Sequence, residues 1–267
     1  MLMMDFLQKR KSVRNFKSAG VPKEELEKIR THCKELEKEI GDVKFIIVEN
    51  GEIVQKALKG KAGYSGVMID APHYLGLGID KDDNRTMLAI GYIIEKINTM
   101  IVEEGYDTCW ITIDRVDENT RKDVFGEIGS SLKYLIAIGQ GKEKKFFEIE
   151  KASVRYPLNE IVYKDDLSNP VTIDYLEERG LLDILYSIRY APSHKNLQPW
   201  RFVISGSDVV LYMKKSSEDF ENKRSLVDMG VVMMYFEEMA KSYNINNKWE
   251  VVMEDEGEYL KIGKFTM

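Results

Sequence analysis

Apolar residues recur at helical spacing from Pro22 to Ile40, through Leu26, Ile29, Cys33, Leu36 and Ile40, with proline at the first turn. Short apolar runs at Phe45 to Val48 and Tyr74 to Ile79 read as strands. A long helix through Met87, Ile90, Ile94 and Ile97 ends near Gly105, and strands follow at Cys109 to Ile113 and Tyr134 to Ile138. Further on, the pattern predicts a helix from Asp174 to Arg189 and strands at Phe202 to Ile204 and Val209 to Met213. A long helix then runs through Met229, Met233 and Phe236, with a strand from Trp249 to Met253. Strands alternating with helices of these lengths indicate an α+β (mixed α/β) fold rather than a bundle or a sandwich.

The second set of elements repeats the order of the first. Gly91 and Trp110 are separated by the same 19 positions as Gly230 and Trp249 (110 − 91 and 249 − 230). The ordered match suggests an internal duplication, with a first half over 1–163 and a shorter second half over 164–267. The first half carries an extra region, Ile53 to Asp70, and a charged connector, Gly141 to Asp166, precedes the second.

Composition narrows the possibilities. With 267 residues, 43% hydrophobic and 31% charged, the chain can bury a sizeable core and has ordinary soluble-protein chemistry. A net charge of −6 argues against general nucleic-acid binding, though not against one phosphate in a local basic pocket. Cys33 and Cys109 are too few for a disulfide framework, and His32, His73 and His194 have no partners at ligand spacing, so no metal site is expected. No stretch is apolar for long enough to span a bilayer, and the start lacks a basic leader, so the chain reads as cytoplasmic.

Two stretches concentrate chemistry. Arg10-Lys11-Ser12-Val13-Arg14 gathers three cations and a hydroxyl, a composition suited to a phosphate because charge-assisted hydrogen bonds are the stronger ones. Alone it also fits a solvated basic patch. Ala191-Pro-Ser-His-Lys-Asn-Leu-Gln-Pro-Trp200 spends ten residues on a helix-to-strand junction. Its prolines stiffen the backbone, while Ser193, His194, Asn196 and Gln198 offer polar groups to a planar ligand or brace the loop. Any one of these residues alone reads as a helix cap or surface loop. Cys109 reads as a core thiol, and Gly60 to Gly66 matches neither a Walker nor a dinucleotide pattern.

The string from Ala191 to Trp200 resembles the Ala-Pro-Ser-x-x-Asn-x-Gln-Pro-Trp signature of the nitroreductase family. The opening from Arg10 to Phe16 resembles that family's Arg-Arg-Ser-x-Arg-x-Phe/Tyr, with Lys11 replacing the second arginine. Gly105 to Ile111 and Val154-Arg155-Tyr156-Pro157-Leu158 are similar to two further family segments. The resemblance implies a nitroreductase-like fold and an FMN-dependent oxidoreductase. Arg10, Lys11, Ser12, Arg14 and Arg155 would take the FMN phosphate and ribityl chain; Pro192, Ser193, His194 and Asn196 would meet the isoalloxazine ring. Gln198 would brace the loop. Thr112 stands where many relatives have glycine close to the flavin, and Val67 where a basic side chain is expected, for which Lys61 is a stand-in.

The first half has the basic arm without the Pro-Ser-Asn loop, and the second has the loop without the arm. These complementary losses suggest a monomer acting as a pseudo-dimer with one FMN site. The implied reaction passes hydride from NAD(P)H to flavin and then reduces a nitroaromatic, a quinone or a similar small acceptor by a ping-pong mechanism. No side chain is expected as the catalytic group, since the cofactor carries the chemistry. Dehalogenation or flavin cleavage on the same fold stays open, as does a non-catalytic flavin-binding protein.

Overall fold

A computed structural model describes residues 3–63, 67–143 and 154–267. The N-terminal part contains α1 (Met3–Lys9), α2 (Lys23–Ile40), β1 (Lys44–Val48), α3 (Gly51–Leu58), β2 (His73–Gly78), α4 (Asn84–Glu103), β3 (Asp107–Thr112), α5 (Glu118–Phe125) and β4 (Leu132–Gly139). After 144–153, part of the expected charged connector and outside the described residues, come α6 (Leu158–Ile161), β5 (Val162–Lys164), α7 (Ile173–Glu178) and α8 (Leu182–Ile188). The chain closes with β6 (Trp200–Ser205), β7 (Asp208–Lys214), α9 (Asp219–Ser242), β8 (Glu250–Glu256) and β9 (Tyr259–Thr266).

Two compact units emerge, one of Met1–Arg10, Asp83–Tyr92 and Glu150–Met267, the other of Lys11–Asp82 and Ile93–Ile149. Within the first unit α1 packs on α8 and α9, burying Phe6 and Leu7 and setting the Phe6 ring 6.1 Å from that of Tyr235. That burial gives the first residues of the chain to the unit holding its last hundred or so.

The unit of Lys11–Asp82 and Ile93–Ile149 is built on an antiparallel sheet in the order β1-β2-β4-β3. Central β2 is buried at every position, as the unbroken run His73-Tyr-Leu-Gly-Leu-Gly78 requires. One side packs on Val54, Leu58, Cys109, Phe125 and Leu135. Cys109 is a core thiol, and burial pushes the Cys33 thiol on α2 up to about 12. Leu26, Ile29, Cys33 and Leu36 form the buried stripe of α2, whereas Ile40, expected on that stripe, is exposed at the helix end. His73 is buried, accepting the Val21 amide at Nε2 (2.8 Å) and donating from Nδ1 to the Glu49 carbonyl (2.7 Å); burial lowers its pKa.

The other unit carries the sheet β5-β6-β7-β9-β8, in which β5 runs parallel to β6 and the remaining pairs are antiparallel. Its core is α9, buried from Ser225 through Glu237, with Phe236 between Trp249 (5.1 Å), Phe265 (5.0 Å) and Phe202 (6.1 Å). Glu237, buried in this helix, takes the Lys248 ammonium (2.6 Å) and the Tyr92 hydroxyl (2.6 Å). The single helix expected from Asp174 to Arg189 is two helices. Gly180 enters the left-handed region (φ 65°), its amide donates to the Glu177 carbonyl, and Leu181 donates back to Leu176, which ends α7. The strand β9 was not expected; it returns from β8 through a turn at Gly257 (φ 71°).

Gly91 on α4 and Gly230 on α9 mark a close approach of these two helices. A Cβ on Gly91 would overlap the Val227 carbonyl oxygen, and one on Gly230 the Leu88 carbonyl oxygen. Each glycine meets the carbonyl three positions before the other. Alanine at either site forces two backbones apart, and overpacking of this kind costs roughly 1–3 kcal/mol. We expect Gly91→Ala and Gly230→Ala each to lower stability by about that amount in urea denaturation. The double variant should lose less than the sum, because both substitutions open the same crossing. Strict additivity would show that the two contacts are independent.

Candidate functional site

The junction Ala191–Trp200 connects α8 to β6 as a strained, internally braced turn. Lys195 (φ 51°), Asn196 (φ 59°) and Gln198 (φ 48°) all occupy the left-handed region that non-glycine residues avoid. Such residues persist only where their surroundings over-determine them. Here the Ser193 hydroxyl accepts the Gln198 amide (3.0 Å). Gln198 Oε1 accepts the Tyr156 amide (3.0 Å), and its Nε2 donates to the carbonyls of Val154 and Asn196 (3.3 Å each). Asn196 Nδ2 donates to the Val154 carbonyl (2.8 Å), while its Oδ1 accepts from Arg155. The segment Val154–Tyr156 therefore acts as a strap across the turn, and Gln198 is its buckle, in the bracing role expected of it.

Arg155 is the chemically conspicuous member of the strap. Besides Asn196 it donates to the Tyr190 carbonyl (3.2 Å), and its Nε is buried without a partner among the described residues. Burial lowers its pKa first, and the positive charges of Arg10 and Arg189 lower it further. Among the described residues no carboxylate is paired with Arg155. A half-buried guanidinium crowded by two others, with no counter-charge among the described residues, is an electrostatic setting that favours an anion.

The turn is held from the opposite side by α9. Both carboxylate oxygens of Asp228 lie within reach of the His194 amide (3.1 and 3.0 Å), and Arg224, one helical turn earlier, contacts His194 Nε2 at 3.2 Å. Arginine only donates, so this contact makes Nε2 an acceptor and puts the proton of a neutral His194 on Nδ1. Burial drives the Asp228 pKa well above 3.8, and the single backbone amide opposes it only in part. Asp228, Arg224 and Arg189 were not singled out in the sequence. A signal was present for Asp228, a lone carboxyl inside the apolar run Leu226 to Met234.

The structure thus gathers Arg10, Arg155, Pro192, Ser193, His194 and Asn196 in one compact unit. Lys11, Ser12, Arg14 and Thr112 belong to the other. There the arm lies along the sheet: Val13 donates to the Thr108 carbonyl (2.9 Å), Phe16 bridges to Gly141, and Lys11, Ser12 and Arg14 are exposed. Thr112 pairs with Tyr134 on edge strand β3. Lys61 is tied to Asp117 (3.3 Å) and Thr120 (2.6 Å), Val67 is 71% exposed, and 64–66 of the glycine-rich run lie outside the described residues. Among the described residues no cluster of three or more acidic, histidine or cysteine side chains could hold a metal, and no helix is long and apolar enough to cross a membrane.

A family model described as "Putative TM nitroreductase" matches residues 3–240, and the chain belongs to that family. Among solved structures it is similar to a "putative nitroreductase" of Thermotoga maritima, at 15% identity and a TM-score of 0.62, covering 100% of this chain and 94% of that one. It is also similar to an FMN-dependent nitroreductase of Clostridium difficile (27% identity, 52% of this chain, 88% of that chain, TM-score 0.43). A nitroreductase of Bacteroides fragilis with bound FMN is a further match (15%, 57%, 95%, 0.45). No curated protein matches the chain. The expected nitroreductase-like α+β fold is the one observed.

The raised pKa of Asp228 has a definite consequence for stability. The folded chain holds this proton more tightly than the unfolded chain, so the stabilisation is full below the ordinary value of 3.8 and is lost as pH rises through the raised one. Asp228→Asn keeps an acceptor for the His194 amide and removes the titration. Measured from pH 3.8 upward, its melting temperature relative to the parent protein should rise until the raised pKa is passed. A difference that stays flat across that range contradicts the assignment.

Proposed function

We propose that this chain is an FMN-dependent oxidoreductase that takes reducing equivalents from NAD(P)H and passes them to a small organic acceptor such as a nitroaromatic or a quinone. The observation that carries this reading is Arg155: its Nε is buried without a partner among the described residues, Arg10 and Arg189 crowd its charge, and its Nη1 is bonded to Asn196 of the signature loop. A phosphate monoester supplies the missing counter-charge, and each charge-assisted bond to it is worth roughly 1.5–3 kcal/mol. FMN is the group that joins such a phosphate to a planar ring, and when bound it supplies the hydride chemistry.

In this reading Arg10 and Arg155 hold the phosphate end. Pro192, Ser193, His194 and Asn196 form the wall for the ring, fixed before the ligand arrives by the strap on one side and Asp228 on the other. Ser193 keeps its hydroxyl proton and Asn196 its second amide proton for a ligand, since the bonds described engage only the Ser193 oxygen, one Asn196 N–H and Asn196 Oδ1. The roles of Lys11, Ser12, Arg14 and Thr112 rest on the sequence resemblance alone. The reciprocal glycine contacts at Gly91 and Gly230 support the internal duplication, because a two-fold arrangement makes residue i meet j and j meet i. With the complementary halves of the sequence, that favours one flavin per chain in a monomer.

The purified protein should be yellow, carry one FMN per chain at monomeric mass, and be bleached anaerobically by NADH or NADPH. Arg155→Met should weaken FMN binding at least about tenfold in a fluorescence titration, the loss of one charge-assisted bond. Full occupancy in that variant would remove Arg155 from the site. A bound flavin that neither nucleotide reduces would sink the oxidoreductase reading.

A further inference from the structure

A cleft opens beside α8, in the same unit as the strapped turn. It has a volume of about 660 Å³, within the range of small-molecule sites. Leu182, Tyr186 and Arg189 lie at i, i+4 and i+7, so they share one face of α8 and form its floor. Leu158, Val171 and Ile173 contribute to the walls. The chain leaves apolar surface wet here: Ile173 is 58% exposed and Tyr186 40%.

At one end of this apolar floor stands a cation with no counter-charge among the described residues. The Arg189 guanidinium lies over the rings of Tyr186 (4.7 Å) and Tyr190 (5.4 Å), and these two rings meet edge to face at 5.9 Å. Its Nε is buried without a hydrogen-bond partner, and among the described residues no carboxylate pairs with it. Aromatic faces hold a guanidinium in place while leaving its in-plane N–H edge to an anion, and that edge matches a carboxylate in bidentate fashion. Asp183, also on the lining, accepts from the Tyr243 hydroxyl (3.2 Å) and sits about 100° round the helix from Leu182, so it limits the ligand to a single negative group at the Arg189 end.

We propose that this cleft binds a small monoanionic aromatic carboxylate, its carboxylate on Arg189 and its ring on Tyr186 between the apolar walls. Charge complementarity selects the anion, and the exposed apolar lining selects the ring. The proposal does not depend on the flavin reading.

The test is calorimetric titration of the full chain, with its flavin, using 2-naphthoate and the neutral 2-naphthamide. Naphthoate should bind one to one, and naphthamide about tenfold more weakly. Arg189→Met should bring naphthoate down to the level of the amide, and Ile173→Trp, at an exposed wall position, should weaken both. The acid-to-amide comparison on the unaltered protein decides the matter if Arg189→Met does not fold. Absence of naphthoate binding, equal affinity for acid and amide, unchanged binding in Arg189→Met, or release of flavin by naphthoate would each overturn the proposal. A preparation without FMN counts against the flavin reading only, since the naphthoate titration reads the same.

Discussion

Where α4 crosses α9, two helices lie backbone to backbone, and neither Gly91 nor Gly230 has room for a methyl group. Most of the unit holding the strapped turn is arranged around this approach. It draws the start of α4 onto the buried stretch of α9, and from there Tyr92 reaches Glu237. Glu237 in turn holds Lys248 and the amide of Trp249, which anchors the turn into β8. On the same helix, Asp228 lies two positions before Gly230 and Arg224 one turn earlier still, so the crossing also fixes the groups that grip His194. Residues with no ligand chemistry of their own thereby determine where the turn sits.

Much of this fold is legible in the sequence because it rests on period. The stripe Leu26-Ile29-Cys33-Leu36 is buried as its spacing says, and the apolar runs at β1, β2, β4, β6 and β7 are strands. What escaped was decided by single residues or by partners distant in sequence. Gly180 splits α7 from α8 without interrupting the apolar spacing that made them look like one helix. The short β5 sits inside a charged stretch and exists because Val162–Lys164 pairs in parallel with Phe202–Ile204. The membership of α1 follows from Phe6 and Leu7 finding α8 and α9, a tertiary event with no local trace.

The candidate site divides in the same manner. Its loop is visible as a dense string of polar and proline residues, and Gln198 carries out the bracing its position suggests. What is invisible is the bookkeeping of donors and acceptors: Asn196 is engaged at both ends of its amide by the strap, and Ser193 by Gln198. Arg189 and Asp228 escaped for different reasons. Arg189 looks like an ordinary helix-terminal cation until Tyr186 and Tyr190 fold beneath it. Asp228 looks like an interruption in a core helix until the His194 amide arrives.

The strap from Val154 to Tyr156 gives the turn a property that no residue within it has. Asn196 and Gln198 hold left-handed backbone conformations while their side chains are bonded to the strap. Turn and strap are thereby coupled, joining stretches about forty residues apart in sequence, while Asp228 holds the turn from α9. Local order in the turn thus depends in part on a short upstream tether, and rigidity there is shared rather than intrinsic.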